Sequence, residues 1–180
     1  VLSQRQARDR ERLKDLEAAL ATIADDYQLI VLDCPVNKVM EEAALAAAHW
    51  VIIPTRTDSG SRQKGLQRVA RRFTALRDSG INPDLELLGV ALFDMGASDT
   101  KIDADVRGEL TEALDGIAPV FDGFIRNARV ACKDMRDYGV LATEYDKAAK
   151  EYPGKFAGNA ATLAADYQKL VIGQILPAVA

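Results

Sequence analysis

A chain of 180 residues, 48% hydrophobic and 28% charged, carries enough apolar material for one sizeable globular core, so a single domain is predicted over residues 1–180. Its formal net charge of −4 excludes a wholly basic nucleic-acid protein, and no apolar run reaches the roughly 18–20 residues needed to span a bilayer. With one histidine (His49) and two cysteines (Cys34 and Cys132) outside any CxxC spacing, a zinc site or a Ser-His-Asp triad has almost no material, and free thiols in a reducing compartment are expected.

The polar and charged start, Val1 to Glu17, is not a secretory signal. Gln4 to Asp25 instead predicts an amphipathic helix, with Leu13, Leu16, Leu20 and Ile23 recurring at spacings of three and four. The run Tyr27-Gln-Leu-Ile-Val-Leu-Asp33-Cys-Pro35 follows. It predicts a buried parallel strand over Gln28–Asp33, delivering one carboxylate to the carboxyl edge of a sheet, where open α/β sheets bind ligands. Pro35 delays the next helix, and Asn37 is placed to cap it from Lys38 to Ala48.

Trp50–Pro54 predicts a second strand, and Ser61 caps a helix running to Arg77. Ser79-Gly80 ends that helix before an Asn82-Pro83-Asp84 turn. A third strand is expected over Glu86–Phe93, with the loop from Asp94 to Ser98 at its carboxyl edge. Helix Ile102–Leu114, a shorter strand Val120–Ile125 and a short helix Asn127–Tyr138 come next. Gly139–Pro153 lacks strong periodicity, and Lys155–Ile175 predicts a last helix. Helices alternating with strands imply an α/β fold with a mostly parallel sheet covered on both faces. Since a helix feeding a buried strand comes first, the sheet is expected to be incomplete on its amino-terminal side.

Charge is unevenly placed. Arg56, Arg62, Lys64, Arg68, Arg71, Arg72 and Arg77 face Asp58 alone between positions 56 and 77, a local excess of about six positive charges. Lys64, Arg68, Arg71 and Arg72 recur at spacings of three and four and can share a helix face. Such a face suits salt-sensitive, sequence-independent binding to DNA phosphates, or simply a solvated surface. Aromatic residues are not interleaved, which argues against stacking on single strands.

The segment ending in Asp33 resembles the Walker B strand of the ParA/MinD group of deviant-Walker partition ATPases. Glu42–Ala48 and Trp50–Pro54 resemble that family's continuation, and Leu88–Phe93 its later core strand. Phe124-Ile125-Arg126-Asn127-Ala128-Arg129-Val130 resembles its Ile-Pro-Arg-Asn-x-Arg segment, and Tyr138–Leu141 with Glu144-Tyr145-Asp146 its closing pattern. The order of the pieces is the family's order. ParA is the better match, because MinD's short basic membrane-binding tail is not evident, so no membrane partner is expected. Two prolines of the pattern are replaced, by Val36 and by Ile125. No Gly-x-x-x-x-Gly-Lys-[Ser/Thr] loop occurs in the chain, and the resemblance places that loop upstream of Val1.

The resemblance therefore implies the carboxyl-terminal part of a larger P-loop NTPase-like nucleotide-binding domain. The complete protein would bind ATP and Mg²⁺, form a homodimer, bind DNA nonspecifically and hydrolyse ATP when stimulated by a ParB-like partner. It would act in plasmid or chromosome partition, in the cytoplasm at the nucleoid. Asp33 is assigned the Mg²⁺ site, through water, and the switch role. Asp94, Arg126 and Asn127 are assigned to the nucleotide, although Asp94 also reads as a loop cap. Lys64, Arg68, Arg71, Arg72 and Arg129 are assigned to DNA, with Arg136 as an extension. Without the phosphate loop, this chain alone is not expected to hold ATP tightly or hydrolyse it. The competing readings are a non-enzymatic DNA-binding or adaptor module on the same fold, and another enzyme of the superfamily such as an amidotransferase-like synthetase.

Overall fold

A computed structural model describes residues 4–35, 37–56, 59–96, 100–114, 116–152 and 160–180. Helix α1 (Gln4–Ala21) is followed by a short 3₁₀ turn (Ala24–Asp26) and by α2 (Lys38–Ala47). Strand β1 (Trp50–Thr55), helix α3 (Ser59–Asp78), strand β2 (Glu86–Met95), helix α4 (Thr100–Leu114) and strand β3 (Ile125–Arg126) come next. Helices α5 (Arg129–Tyr138), α6 (Ala142–Glu151) and α7 (Ala160–Tyr167) then lead through a π-helical stretch (Gln168–Ile175) into α8 (Leu176–Val179). The fold is α/β, an open parallel sheet of three strands in the order β1-β2-β3, with helices.

The chain divides into two compact units, Val1–Val51 with Gly65–Leu87, and Ile52–Lys64 with Leu88–Ala180. In the first unit, Leu45, Leu76 and Leu85 form a core closed by Leu13, Ala48, Val51, Phe73 and Ile81. Helix α2 begins where expected. The Asn37 side chain accepts hydrogen bonds from the Val39 and Met40 amides at 3.0 and 3.3 Å, satisfying donors that a helix start leaves without partners. Its other end is held from a distance in sequence, since Asn82 Nδ2 donates to the Leu45 and Ala48 carbonyls at 2.9 and 2.7 Å. Helix α3 ends on Gly80 at φ +69°, and the Ile81 and Asn82 amides turn back onto the Leu76 carbonyl. A left-handed residue after the last turn makes that reversal possible.

In the second unit, Val90, Ala91, Leu92 and Met95 of β2 are buried, the continuous burial of a central strand. Strand β3 runs parallel to it, and a further parallel bridge joins Val90 to Val120. Gly89 lets this connection approach closely, because a Cβ there would stand 2.7 Å from the Phe121 ring. Arg107 on α4 fixes the same connection by donating to the Phe121 and Gly123 carbonyls, while its Nε donates to Asp103. Beyond β3, α5, α6 and α7 enclose Ala128, Ala131, Ala142, Tyr145, Ala160 and Leu163. The fully buried Tyr145 hydroxyl donates to Asp134 at 3.0 Å.

Three local expectations are corrected. Residues 28–33 form no strand. Leu29 and Val31 are 42% and 79% exposed, because a strand needs a ladder partner and none is offered among the described residues. The strand expected over Val120–Ile125 reduces to the bridge at Val120 and the two residues of β3, broken by Gly123 at φ +78°. Helix α6 occupies Ala142–Glu151, where periodicity had suggested none; the Glu144 carboxylate starts it by accepting from the Leu141 amide at 2.8 Å.

Replacing Asn82 by Ala leaves the carbonyls at the end of α2 without their donor. Urea denaturation is expected to show a loss of about 1–3 kcal/mol, and an unchanged midpoint and slope would remove Asn82 from this role.

Candidate functional site

In the first unit, Asp33 ends the apolar run and is exposed. Among the described residues its carboxylate has no hydrogen bond or ion pair. Also among the described residues, no group of three or more histidine, cysteine, aspartate or glutamate side chains gathers to hold a metal. A lone free carboxylate cannot form a cage. It suits Mg²⁺, a cation that sheds water reluctantly and is often held by few protein ligands.

The arginines of α3 are not equivalent. Arg68 and Arg72, one turn apart, converge on Glu41 of α2. One Arg68 guanidinium nitrogen lies 3.5 Å from its Oε1, and Arg72 contacts its Oε2. Arg71 is exposed on another side of the helix and lines a shallow groove with Ala70, Thr74, Ala75 and Asp78. Arg77 lies over the Phe73 ring, 5.4 Å from its centre. The Lys64 side chain lies outside the described residues. Glu41 was not legible as a partner from helix spacing, which reports the faces of one helix and not what packs against them.

The second unit holds a polar cluster at the end of β2. The pairing with β3 slips between Phe93 and Met95, leaving Asp94 as the extra residue of a bulge, at φ +63°. That left-handed conformation is unfavourable for a residue with a side chain, though aspartate tolerates it better than most. Both carboxylate oxygens are engaged: Oδ1 accepts from Asn127 Nδ2 at 2.7 Å, and Oδ2 pairs with Arg56 at 3.3 Å. The Arg56 guanidinium also lies 5.4 Å from the centre of the Phe93 ring. Asn127 is held a second time, its amide donating to the Met95 carbonyl at 2.7 Å.

Of the residues assigned to the nucleotide, Asp94 and Asn127 are therefore brought together, and Arg126 is directed elsewhere. Arg126 Nε and Nη2 donate to the two oxygens of Asp166 at 2.6 and 2.8 Å, and its backbone amide donates to the same carboxylate at 3.1 Å. The hydrogen bonds it donates to Asp166 push the Arg126 guanidinium above its ordinary pKa, against the opposing effect of burial. Arg129 and Arg136 are exposed on α5. Arg56 was counted in the basic stretch but not matched to Asp94. Its position directly after a strand was the available signal.

Asp94→Ala keeps the left-handed backbone and loses both polar partners, whereas Asp94→Gly loses the partners and relieves the backbone. Chemical denaturation is expected to find the glycine variant about 1–2 kcal/mol more stable than the alanine variant. Equal stabilities would mean that the bulge relaxes when Asp94 is replaced.

A family model described as an AAA domain matches residues 2–87. The chromosome partitioning protein ParA of Myxococcus xanthus is 34% identical over 101 residues, covering 54% of this chain and 34% of that protein. An uncharacterized protein of Pseudomonas putida is 29% identical over 145 residues, 75% of this chain and 49% of that protein. Among solved structures, cobyrinic acid a,c-diamide synthase from Mycobacterium smegmatis is similar with a TM-score of 0.57 and 26% identity, over 69% of this chain and 52% of that one. The same enzyme with a bound ATP analogue and magnesium gives a TM-score of 0.63 and 24% identity, over 88% and 51%. The chain thus spans half the length or less of the curated relatives it matches. The ordered segments around Asp33, the AAA-domain match, the likeness to a partition protein and the P-loop NTPase-like sheet together support a ParA/MinD-like family.

Proposed function

We propose that this chain is the carboxyl-terminal portion of a ParA-like ATPase that acts in plasmid or chromosome partition. The observation that carries this reading is Asp33, a free carboxylate closing an apolar run, followed by the family's later segments in the family's order. In the complete protein Asp33 would hold a water of the Mg²⁺ shell and report on the nucleotide through residues 34–37. The ion, when bound, neutralises charge developing on the transferred phosphoryl group. Asn127, oriented by Asp94, would face the nucleotide with its amide oxygen. Arg126, tied to Asp166, would serve through its backbone and by fixing the end of β3. Exposed arginines, Arg71 and Arg129 among the described residues, would supply the first contacts to DNA phosphates. ATP-dependent dimerisation, a ParB-like partner and a nucleoid location complete the reading, and they rest on the family alone. Among the described residues no helix is long and apolar enough to cross a membrane.

A DNA-binding or adaptor module that needs no nucleotide is the second reading, favoured by the exposed Arg71 and Arg129. The two differ in what Asp33 does. In the complete protein, Asp33→Ala is expected to lower DNA- and partner-stimulated ATP turnover by about 100-fold or more, the scale of losing a charge-stabilising group in a transition state, while leaving the fold intact by circular dichroism. Unchanged turnover in a folded variant would remove the role given to Asp33. Absence of turnover in the unmodified complete protein, together with DNA binding indifferent to ATP, would favour the module.

A further inference from the structure

Glu41 is one anion shared by two guanidinium groups. Arg68 approaches one carboxylate oxygen and Arg72 the other. The pair is shielded unevenly, since the Glu41 and Arg72 side chains are 14% and 18% exposed and that of Arg68 is 41% exposed. Glu41 lies in the first turn of α2, where the helix dipole favours a carboxylate, and the Asn37 cap fixes that turn. The neighbouring Glu42 is occupied with Lys38 at 3.9 Å, so it does not share this task. Arg71 stays exposed. The basic face read from helix spacing is thus split by a single acid, two arginines turned inward and one outward.

A carboxylate between two arginines offers what a backbone phosphate offers: anionic oxygens facing planar, charged donors. We propose that Glu41 is an internal stand-in for a DNA phosphate, which holds Arg68 and Arg72 out of use until a duplex displaces it. The inference rests on the reading of α3 as a DNA-contacting helix and adds the device that limits its affinity. In the closed arrangement Arg71 alone of these three arginines is available. When Arg68 and Arg72 leave Glu41, all three can reach phosphates. Arg68 is the natural first to leave, being the more exposed.

The test is fluorescence anisotropy of a labelled duplex of arbitrary sequence, titrated with the complete protein in the presence of ATP and Mg²⁺ between low and physiological salt. Glu41→Gln is expected to tighten binding about tenfold at low salt. It should also steepen the dependence of log K on log salt by about 1–2, because each recruited phosphate contact adds about 0.9 to that slope. Glu42→Gln makes the same change in net charge one residue away and is expected to leave the slope unchanged. Adding Arg68→Ala and Arg72→Ala to Glu41→Gln should return the slope to that of the unmodified protein. Glu41→Asp, which keeps the charge but is one methylene too short to span both arginines, should give a smaller gain and serves if the glutamine variant fails to fold. Salt-dependent binding that Glu41→Gln or Glu41→Asp does not strengthen would overturn the stand-in and leave α3 as a DNA-contacting helix. An equal gain from Glu42→Gln, or a gain that survives loss of both arginines, would also overturn it. No binding by any of these proteins at low salt would overturn the DNA reading itself.

Discussion

The constraint on which the second unit's polar cluster depends is the slip in pairing at the end of β2. Strand β3 meets Phe93 and Met95 with Ile125 and Arg126, and the residue between them has no opposite number. An extra residue in a strand must bend out of the ladder. Here it does so with its backbone at φ +63°, a conformation that costs an L-residue about 1–2 kcal/mol. The partners of Asp94 offset that cost. Asn127 and Arg56 each take one of its oxygens, and the Asn127 amide closes onto the Met95 carbonyl on the far side of the bulge. A strand that continued in register would have turned this carboxylate to one face of the sheet. The bulge aims it at the residues that follow β1 and β3 instead.

Much of this architecture could be read from the chain because the signals are local. The Asn37 cap, the stop at Gly80, and the apolar runs of β1 and β2 depend on residues within a few positions of one another, and α2, β1, α3 and β2 lie within a few residues of where they were expected. The failures share a different cause. Residues 28–33 have the composition of a buried strand, but burial belongs to the neighbours and not to the composition. Val31 is exposed because nothing among the described residues covers it. Helix α6 was missed because few of its positions are strongly apolar. Ala142 and Tyr145 are buried while Thr143, Glu144 and Lys147 are exposed, a stripe too narrow to register as periodicity. In the site, Asp94 was legible as a strand-end carboxylate and Asn127 through the resemblance. Their hydrogen bond, across a separation of 33 residues, was not.

The same limit governs the arginines. Spacing placed Arg68 and Arg72 on one face of α3 and said nothing of α2, which supplies Glu41. The resemblance assigned Arg126 to the nucleotide, and Asp166, 40 residues away, takes two of its three side-chain nitrogens. A count of basic residues is therefore an upper bound on phosphate contacts, since each arginine already paired inside the fold must first be released.

Release is not equally easy at the carboxylates that hold these arginines. Arg126 meets Asp166 through two side-chain hydrogen bonds with a third from the backbone, a bidentate geometry that a single phosphate could only replace like for like. Arg107 spends two of its donors on backbone carbonyls, so moving it would unfasten the connection that leads to β3. Arg56 and Arg68, by contrast, meet their acids at 3.3 and 3.5 Å with side chains 54% and 41% exposed. Water screens such pairs, and little holds them in one geometry. These two can change partners without disturbing a core. One faces Asp94 within the second unit and the other faces Glu41 within the first, so among the described residues each unit carries an ion-paired arginine that an incoming oxyanion can recruit at small cost to the fold.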